Sequence, residues 1–291
     1  NPLGRGLTAT WDALRKDRHG LRPNDFGDAA VKTWIGRVDG LEEEPIIGTL
    51  ADFDCRNNRL ALAGLRQDGF EEAVAAACRR YGPSRIGVLI GTTTSGILET
   101  ELAYRRRTES GELLPLTVRY RHTQNLFSVS EIVRRHLGLR GSVASISTAC
   151  SSSAKVFASA SRWMAAGLCD AVVVGGVDSL CFMTLYGFAA LGLISDSPCR
   201  PCDVDRNGLS IGEAAGFMLL EQRPISCSGA LQLIGYGESS DAYHMSTPHP
   251  EGLGAALAME RALKRAEMKP IDIDYINLHG TGTPANDLAE D

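Results

Sequence analysis

"SVASISTACSSSAKVFASASRWMAAG", residues 142–167, decides how this chain is read. Residues 142–147 form a short apolar run of the kind that makes a buried strand. Residues 150–167 carry small and apolar side chains at helical spacing up to a glycine stop. A strand feeding straight into a helix is a building unit of α/β folds. At the junction stands Cys150, flanked by Thr148, Ala149, Ser151, Ser152 and Ser153, none of them bulky. A helix start offers unpaired backbone N–H groups and the positive end of the helix dipole. Both favour a thiolate, and the same N–H groups can stabilise the oxyanion formed when a thiolate attacks a thioester carbonyl. Cys150 is therefore the candidate nucleophile, against the plainer reading of a cysteine that merely fills space.

Outward from this unit, strands and helices alternate. Helices are expected over 8–20, 59–82 (with Gly69 as its weak point), 95–107, 125–138, 150–167, near 183–191 and over 254–268. Strands are expected over 85–91, 142–147, 170–178, 213–222, 230–239 and 274–280. Continuous apolar strands between helices mean an α/β architecture with covered sheets. The polar stretch at 223–229 is the natural boundary, giving domains 1–226 and 227–291.

The chain has 291 residues, 44% hydrophobic and 22% charged, with a formal net charge of −5. An acidic balance argues against nucleic acid as a bulk partner. No apolar run reaches the ~18–20 residues that span a bilayer, and no secretory signal opens the sequence, so a cytoplasmic setting without membrane insertion is expected. Eight cysteines, several inside apolar runs, read as reduced and mostly buried. Cys199 and Cys202 form a CxxC in a Pro/Asp/Gly loop without further metal ligands nearby, so no metal site is expected.

A cysteine nucleophile is usually paired with a histidine. Of the six histidines, His279 ends an apolar strand and enters a Gly/Thr loop, "NLHGTGTPAND", the position where sites gather in α/β proteins. Three look-alikes fail on context. "GLSIG" (208–212) lacks the strand-then-helix setting of a nucleophile elbow. "GTTTSG" (91–96) lacks the Gly-Lys-Ser/Thr ending of a phosphate loop. "YRRR" (104–107) is basic without interleaved aromatics and reads as a solvated helix face.

Taken together, "STACSSS" (147–153), "VVVGGVDS" (172–179), "CRPCDVDRNGLSIGEAAGFMLLE" (199–221), "SSDAYHMSTP" (239–248) and "NLHGTGTPANDLAED" (277–291) resemble the β-ketoacyl-(acyl carrier protein) synthases of type I/II. The resemblance follows family order over most of the chain. It implies a thiolase-like fold, five-layered αβαβα from two pseudo-repeated halves, with the second half incomplete here. It implies a first strand before residue 1, and a second histidine, a lysine and a Gly/Phe gating loop beyond residue 291. Residues 1–291 alone would then lack one of two histidine donors.

The activity implied is acyl transfer followed by decarboxylating Claisen condensation with a malonyl-carrier thioester, as in fatty acid or polyketide elongation. Cys150 would carry the acyl group, and His279 would hydrogen-bond the carbonyl that becomes the enolate. Thr281 and Thr283 match threonines that hold the pantetheine arm, and Phe188 falls where the family lines its acyl pocket. The implied partners are an acyl carrier protein and a second copy of the chain, with no cofactor beyond the carrier's phosphopantetheine. Arg56 and Arg59 fall where the family often carries positive charge, and are expected to dock the acidic carrier. Leu126, Phe127, Ile132 and Val133 are expected near the homodimer interface. Cys202, Asn286 and Ala215 depart from the family's usual aromatic, glycine and glycine. The alternatives are a thiolase, which "HGTGTP" and "SSDAYH" argue against, a ketosynthase-like partner subunit, in which the cysteine is typically lost, and an inactive fragment.

Overall fold

The computed structural model describes residues 1–107, 114–115, 118–222, 231–244 and 246–291. The chain divides into two compact units. The first comprises Asn1–Val31, Ile35–Gly187 and Ile211–Gln222, and the second Lys32–Trp34, Phe188–Ser210 and Arg223–Asp291. The boundary expected at 226/227 lies outside the described residues.

The first unit opens with α1 (Gly6–Arg15), whose first turn is held by Asp68: both carboxylate oxygens accept the Leu7 N–H, at 3.1 and 2.9 Å. An anion is favoured at that end of a helix. β1 (Leu21–Pro23) and β2 (Trp34–Gly36) follow. The helix expected over 59–82 is two helices, α2 (Arg56–Leu65) and α3 (Phe70–Tyr81). Asp68 and Gly69 between them adopt φ of +55° and +70°, left-handed backbone that no α-helix accommodates and that glycine enters without penalty. Then come β3 (Ile86–Gly91), α4 (Ile97–Arg105), α5 (Ser128–His136), β4 (Val143–Ile146), α6 (Ser152–Ala165), β5 (Ala171–Asp178), α7 (Phe182–Ala190), β6 (Ile211–Gly212) and β7 (Ala214–Glu221).

The central sheet has the order β4-β3-β5-β7. β3 pairs parallel with β4 and β5, in a register that sets Gly91 opposite Ile146 and Gly176. β7 runs antiparallel to β5, with Val174 opposite Met218. A smaller sheet has the order β1-β2-β6.

Side-chain alternation along β3 and β5 distributes the core. Ile86, Val88, Ile90, Val173 and Val177 join Leu60, Leu62, Leu65, Val74, Ile132 and Val133 of α2, α3 and α5 in one cluster. Leu89, Val172 and Val174 join Val156 and Ala160 of α6 in another. Helices thus cover the sheet on both faces, and its central strands are apolar throughout, as such sheets require. Ile132 and Val133 are fully buried here, so they serve this core and not the dimer surface expected of them; Leu126 and Phe127 are the exposed pair, at 39% and 52%.

In the second unit α8 (Leu253–Ala266) and α9 (Pro284–Glu290) are the α-helices among the described residues after 231. The strands expected over 230–239 and 274–280 are not strands: none of residues 231–239 or 274–280 is in a ladder. A strand exists only where a neighbour completes its hydrogen bonds, and no described segment pairs with either stretch. Residues 235–238 instead lie alongside α8, where Arg265 donates to the Tyr236 carbonyl at 2.8 Å and stacks on its ring at 3.9 Å. Among the described residues no helix is long and apolar enough to cross a membrane.

Candidate active site

Cys150 sits on a tight strand-to-helix turn. β4 ends at Ile146; Ala149 adopts φ of +53°; Ser151 is the N-cap and Ser152 the first residue of α6. The helix therefore begins two residues after Cys150 and not at it. A left-handed alanine costs of order 1–3 kcal/mol and persists only where its surroundings hold it. The local hydroxyls supply that hold. The Ser152 hydroxyl accepts the Thr148 N–H at 2.9 Å and donates to the Ala149 carbonyl at 2.6 Å. The Ser151 hydroxyl donates to the Thr148 carbonyl at 2.8 Å. These short polar side chains thus fold the turn as well as leaving room around the thiol.

The turn rests on strand ends that lack side chains. A Cβ on Gly91 would stand 2.5 Å from the carbonyl carbon and oxygen of Ser152, and one on Gly176 would stand 2.1 Å from the Ser153 hydroxyl. Both are contacts that no real side chain tolerates. Cys150 is exposed. Burial pushes the Cys55 thiol up to about 12, and also raises Cys78, Cys169, Cys181 and Cys199.

His279 lies in the second unit, on a loop that two carboxylates of α9 hold by its backbone. Glu290 accepts the N–H groups of His279 and Gly280, each at 2.8 Å, one on each oxygen. Asp287, 3% exposed, accepts the Gly282 N–H at 3.1 Å and the Cys202 N–H at 2.8 Å. Gly280 and Gly282 have φ of +56° and +73°, which explains the glycine alternation of "HGTGTP". Pro284 opens α9 at a position where its missing N–H costs nothing. Asn286, on the same helix, donates to Glu290 at 3.0 Å. The His279 side chain is exposed.

The hydroxyls of Thr281 and Thr283 bond each other at 2.8 Å, and Thr283 is buried. The Cys199 thiol donates to the Thr281 carbonyl at 3.3 Å, and Gly208 N–H to the Gly282 carbonyl at 2.9 Å. His279, Thr281 and Thr283 thus share one braced loop. Phe188 is half-buried in the last turn of α7. Cys150 belongs to the first unit and these four residues to the second.

The structure corrects the docking role expected of Arg56. It is 7% exposed and binds Glu213 twice, Nε to Oε2 at 2.8 Å and Nη2 to Oε1 at 2.5 Å. A guanidinium committed to a buried carboxylate cannot also meet a carrier at the surface. Arg59 is half-buried and spans both oxygens of Asp54 at 2.6 Å each. The anchors Glu213, Asp287 and Glu290 stand inside the family-like motifs, where the sequence assigns them no role. The signal available was an acidic residue amid small or apolar neighbours, as in "GEAAG". Among the described residues no cluster of His, Cys, Asp or Glu is placed to hold a metal ion.

Comparison with known proteins agrees with this architecture. The "Beta-ketoacyl synthase, N-terminal domain" model matches residues 1–224 and the "Beta-ketoacyl synthase, C-terminal domain" model residues 231–291. The chain belongs to the β-ketoacyl synthase family and has its thiolase-like fold; it is of the condensing-enzyme class. A 3-oxoacyl-[acyl-carrier-protein] synthase 2 of Vibrio harveyi is 32% identical over 100% of this chain and 72% of its own length. A chain of the solved structure of the ketosynthase ApeO in complex with its chain length factor ApeC from Xenorhabdus doucetiae is 37% identical, with a TM-score of 0.87 over 100% of this chain and 71% of that one. The AntDE:AntF structure, a type II PKS acyl-carrier protein in complex with its ketosynthase bound to the hexaketide, is 25% identical with a TM-score of 0.84, covering 99% and 72%.

Proposed function

We propose that this protein is a 3-oxoacyl-(acyl carrier protein) synthase that becomes acylated at Cys150 and elongates the acyl group with a malonyl unit. The observation that carries the proposal is the Cys150 turn: an exposed thiol at the mouth of α6, set on a strained alanine and a glycine floor. Strain kept at one point of a well-packed layer belongs with function more than with folding.

In the first stage Cys150 gives up its proton, the thiolate attacks the acyl thioester carbonyl of the carrier, the carbon–sulfur bond to the carrier breaks, and the carrier sulfur leaves as a thiolate that takes up that proton. In the second stage a malonyl-carrier thioester loses CO2, and the electron pair released forms an enolate at its thioester. The enolate carbon attacks the acyl carbonyl on Cys150, the C–S bond breaks, and the 3-oxoacyl carrier leaves the thiolate behind. His279 donates a hydrogen bond to the oxygen on which the enolate charge builds, an interaction that strengthens as charge develops. Thr281 and Thr283 bind the pantetheine arm, and Phe188 lines the acyl pocket. The partners are an acyl carrier protein and a second copy of the chain. The phosphopantetheine arrives on the carrier and the protein needs no cofactor of its own, in keeping with a cytoplasmic enzyme.

The test is incubation with an acyl-carrier thioester followed by peptide mass mapping and a Cys150→Ala control. A mass increase on the peptide holding Cys150, absent in the control, is expected. Acylation of another residue, or none with any chain length from acetyl to palmitoyl, would refute the assignment.

A further inference from the structure

Asp178, the last residue of β5, gathers a loop that the proposed chemistry has not used. Five donors converge on its Oδ1: the hydroxyls of Thr92, Thr93 and Thr94 at 3.1, 3.1 and 2.9 Å, and the N–H groups of Thr93 and Thr94 at 2.7 and 2.9 Å. Two of these hydroxyls also accept. That of Thr92 accepts the Ser95 N–H at 2.9 Å, and that of Thr94 accepts the Ser179 N–H at 3.0 Å. This is the "GTTTSG" stretch that looked like a phosphate loop. Its threonine hydroxyls point at a carboxylate, which leaves them no role toward a phosphate.

What the clamp fastens is the floor of the Cys150 turn. The Thr92 N–H donates to the Ile146 carbonyl at 3.0 Å, two residues before Thr148. Gly91, immediately before Thr92, lies against the Ser152 carbonyl and the Ser153 nitrogen, and Gly176, two residues before Asp178, lies against Ser153. The carboxyl ends of β3 and β5 therefore meet the first turn of α6 closely, Gly91 against its backbone and Gly176 against the Ser153 side chain. Nothing cushions an error there. A shift of β3 against β5 passes directly to Ser152 and Ser153, and so to the left-handed Ala149 that aims Cys150. One carboxylate oxygen receiving both hydroxyl and backbone donors from the β3 exit fixes that alignment, and bonds to an ionised group are roughly twice as strong as neutral ones.

We infer that Asp178 is a positioning residue for the nucleophile: it locks the end of β3 to the end of β5 and thereby sets the Cys150 turn. It touches no substrate in this role. The inference deepens the reading of Cys150 as the acylated residue and, for its effect on the reaction, rests on that reading.

The experiment compares Asp178→Ala with Asp178→Asn in the full protein. All five donors use Oδ1, and an asparagine offers one carbonyl oxygen at the same place, so the amide restores the acceptor while removing the charge. Two readouts are taken: amide hydrogen exchange over residues 146–153, and the rate of Cys150 alkylation by iodoacetamide against that of the exposed Cys202. The alanine variant is expected to exchange at least about tenfold faster at 146–153 and to alkylate Cys150 at least about tenfold more slowly, the scale of loss a displaced reacting group brings. Cys202 is expected to react at an unchanged rate, and the asparagine variant to recover most of both losses. Unchanged exchange in Asp178→Ala, or an asparagine variant as impaired as the alanine one, would overturn the inference. Failure of the functional reading looks different: carrier thioesters would leave Cys150 of the unaltered protein unacylated while exchange at 146–153 still answered to Asp178.

Discussion

Arg56 and Glu213, 157 residues apart in sequence, meet through two hydrogen bonds in the interior of the first unit. Glu213 also accepts the backbone N–H groups of Val38 and Leu180, at 2.8 and 2.9 Å. One carboxylate thus joins the start of α2, the segment after β2, the segment before α7 and the start of β7. Every polar contact is matched, which is the condition under which a buried ion pair is tolerated. Removing one partner strands the other. Glu213→Ala is expected to lower unfolding free energy by about 3–5 kcal/mol, read from urea denaturation, whereas the paired change Arg56→Met with Glu213→Leu should cost less than Glu213→Ala alone. Equal losses would mean that the pair is not the source of the effect.

Gly91 offers a sharper steric test. The position is free of left-handed strain, so only the missing side chain matters there. An alanine Cβ would press on the Ser152 carbonyl at 2.5 Å, and both neighbours are backbone, which cannot turn aside as a side chain can. Gly91→Ala is expected to cost about 1–3 kcal/mol, as overpacking does, and to slow Cys150 alkylation more than Cys202 alkylation. A variant with native melting temperature and native Cys150 reactivity would show that the strand end yields.

The thiols should separate by burial. Cys55, pushed up to about 12 by desolvation, holds its proton at pH 7.5. Titration with a maleimide at pH 7.5 is expected to label Cys150 and Cys202 in the native protein and Cys55, Cys169 and Cys181 only after denaturant is added. Early labelling of the buried set would contradict the packing described.

Acid should unfold the protein through its guanidinium-paired carboxylates. Burial alone would raise Glu42, but hydrogen bonds from Arg37 and the nearby Arg56 charge outweigh it and bring it to about 2. Arg134 chiefly, with Arg135, brings Glu131 to about 2. A carboxyl held below its ordinary value of 4.5 stabilises the fold above that pH. The contribution fades as pH falls from there toward 2. Urea midpoints measured from pH 6 to pH 3 are expected to decline, and to decline less steeply in Glu42→Gln with Glu131→Gln. The same slope in the double variant would assign acid sensitivity to other groups.

Local features of this fold were legible in the sequence, and long-range ones were not. Strand 85–91 and the 142–167 unit carry their pattern within a few residues, and β3, β4 and α6 lie within those spans. Gly69 was marked as the weak point of a long helix; it is the place where the chain turns left-handed and the helix divides. Arg56 is expected at a docking surface because it falls where the family often carries positive charge, and its partner Glu213 lies 157 residues away, where local sequence does not announce it. Asp178 was passed over for the same reason, since its donors lie 84 to 86 residues earlier. The apolar runs 230–239 and 274–280 have the composition of strands, but a ladder needs a neighbour and composition cannot supply one. Cys150 and His279 stand out in the sequence because each lies where an apolar run gives way to small residues.

Glu290 provides the test of the second unit. Its two oxygens take the N–H groups of His279 and Gly280 separately, so the carboxylate fixes the peptide planes on either side of the His279 Cα and with them the direction in which the imidazole leaves the backbone. Asp287 braces the same loop three residues on, through Gly282, so the loop should stay folded when Glu290 is removed while His279 gains freedom. Glu290→Ala is therefore expected to leave acylation of Cys150 within about twofold of the native rate and to slow malonyl-dependent elongation at least about tenfold, as misplaced catalytic groups do. Glu290→Gln keeps one acceptor oxygen and should fall between the two. The measurement is single-turnover elongation with enzyme already acylated, so that the two stages are read apart. Equal loss in both stages would mean that Glu290 supports the fold at large, and an unchanged elongation rate would mean that His279 is held in place by other contacts or has no part in the second stage.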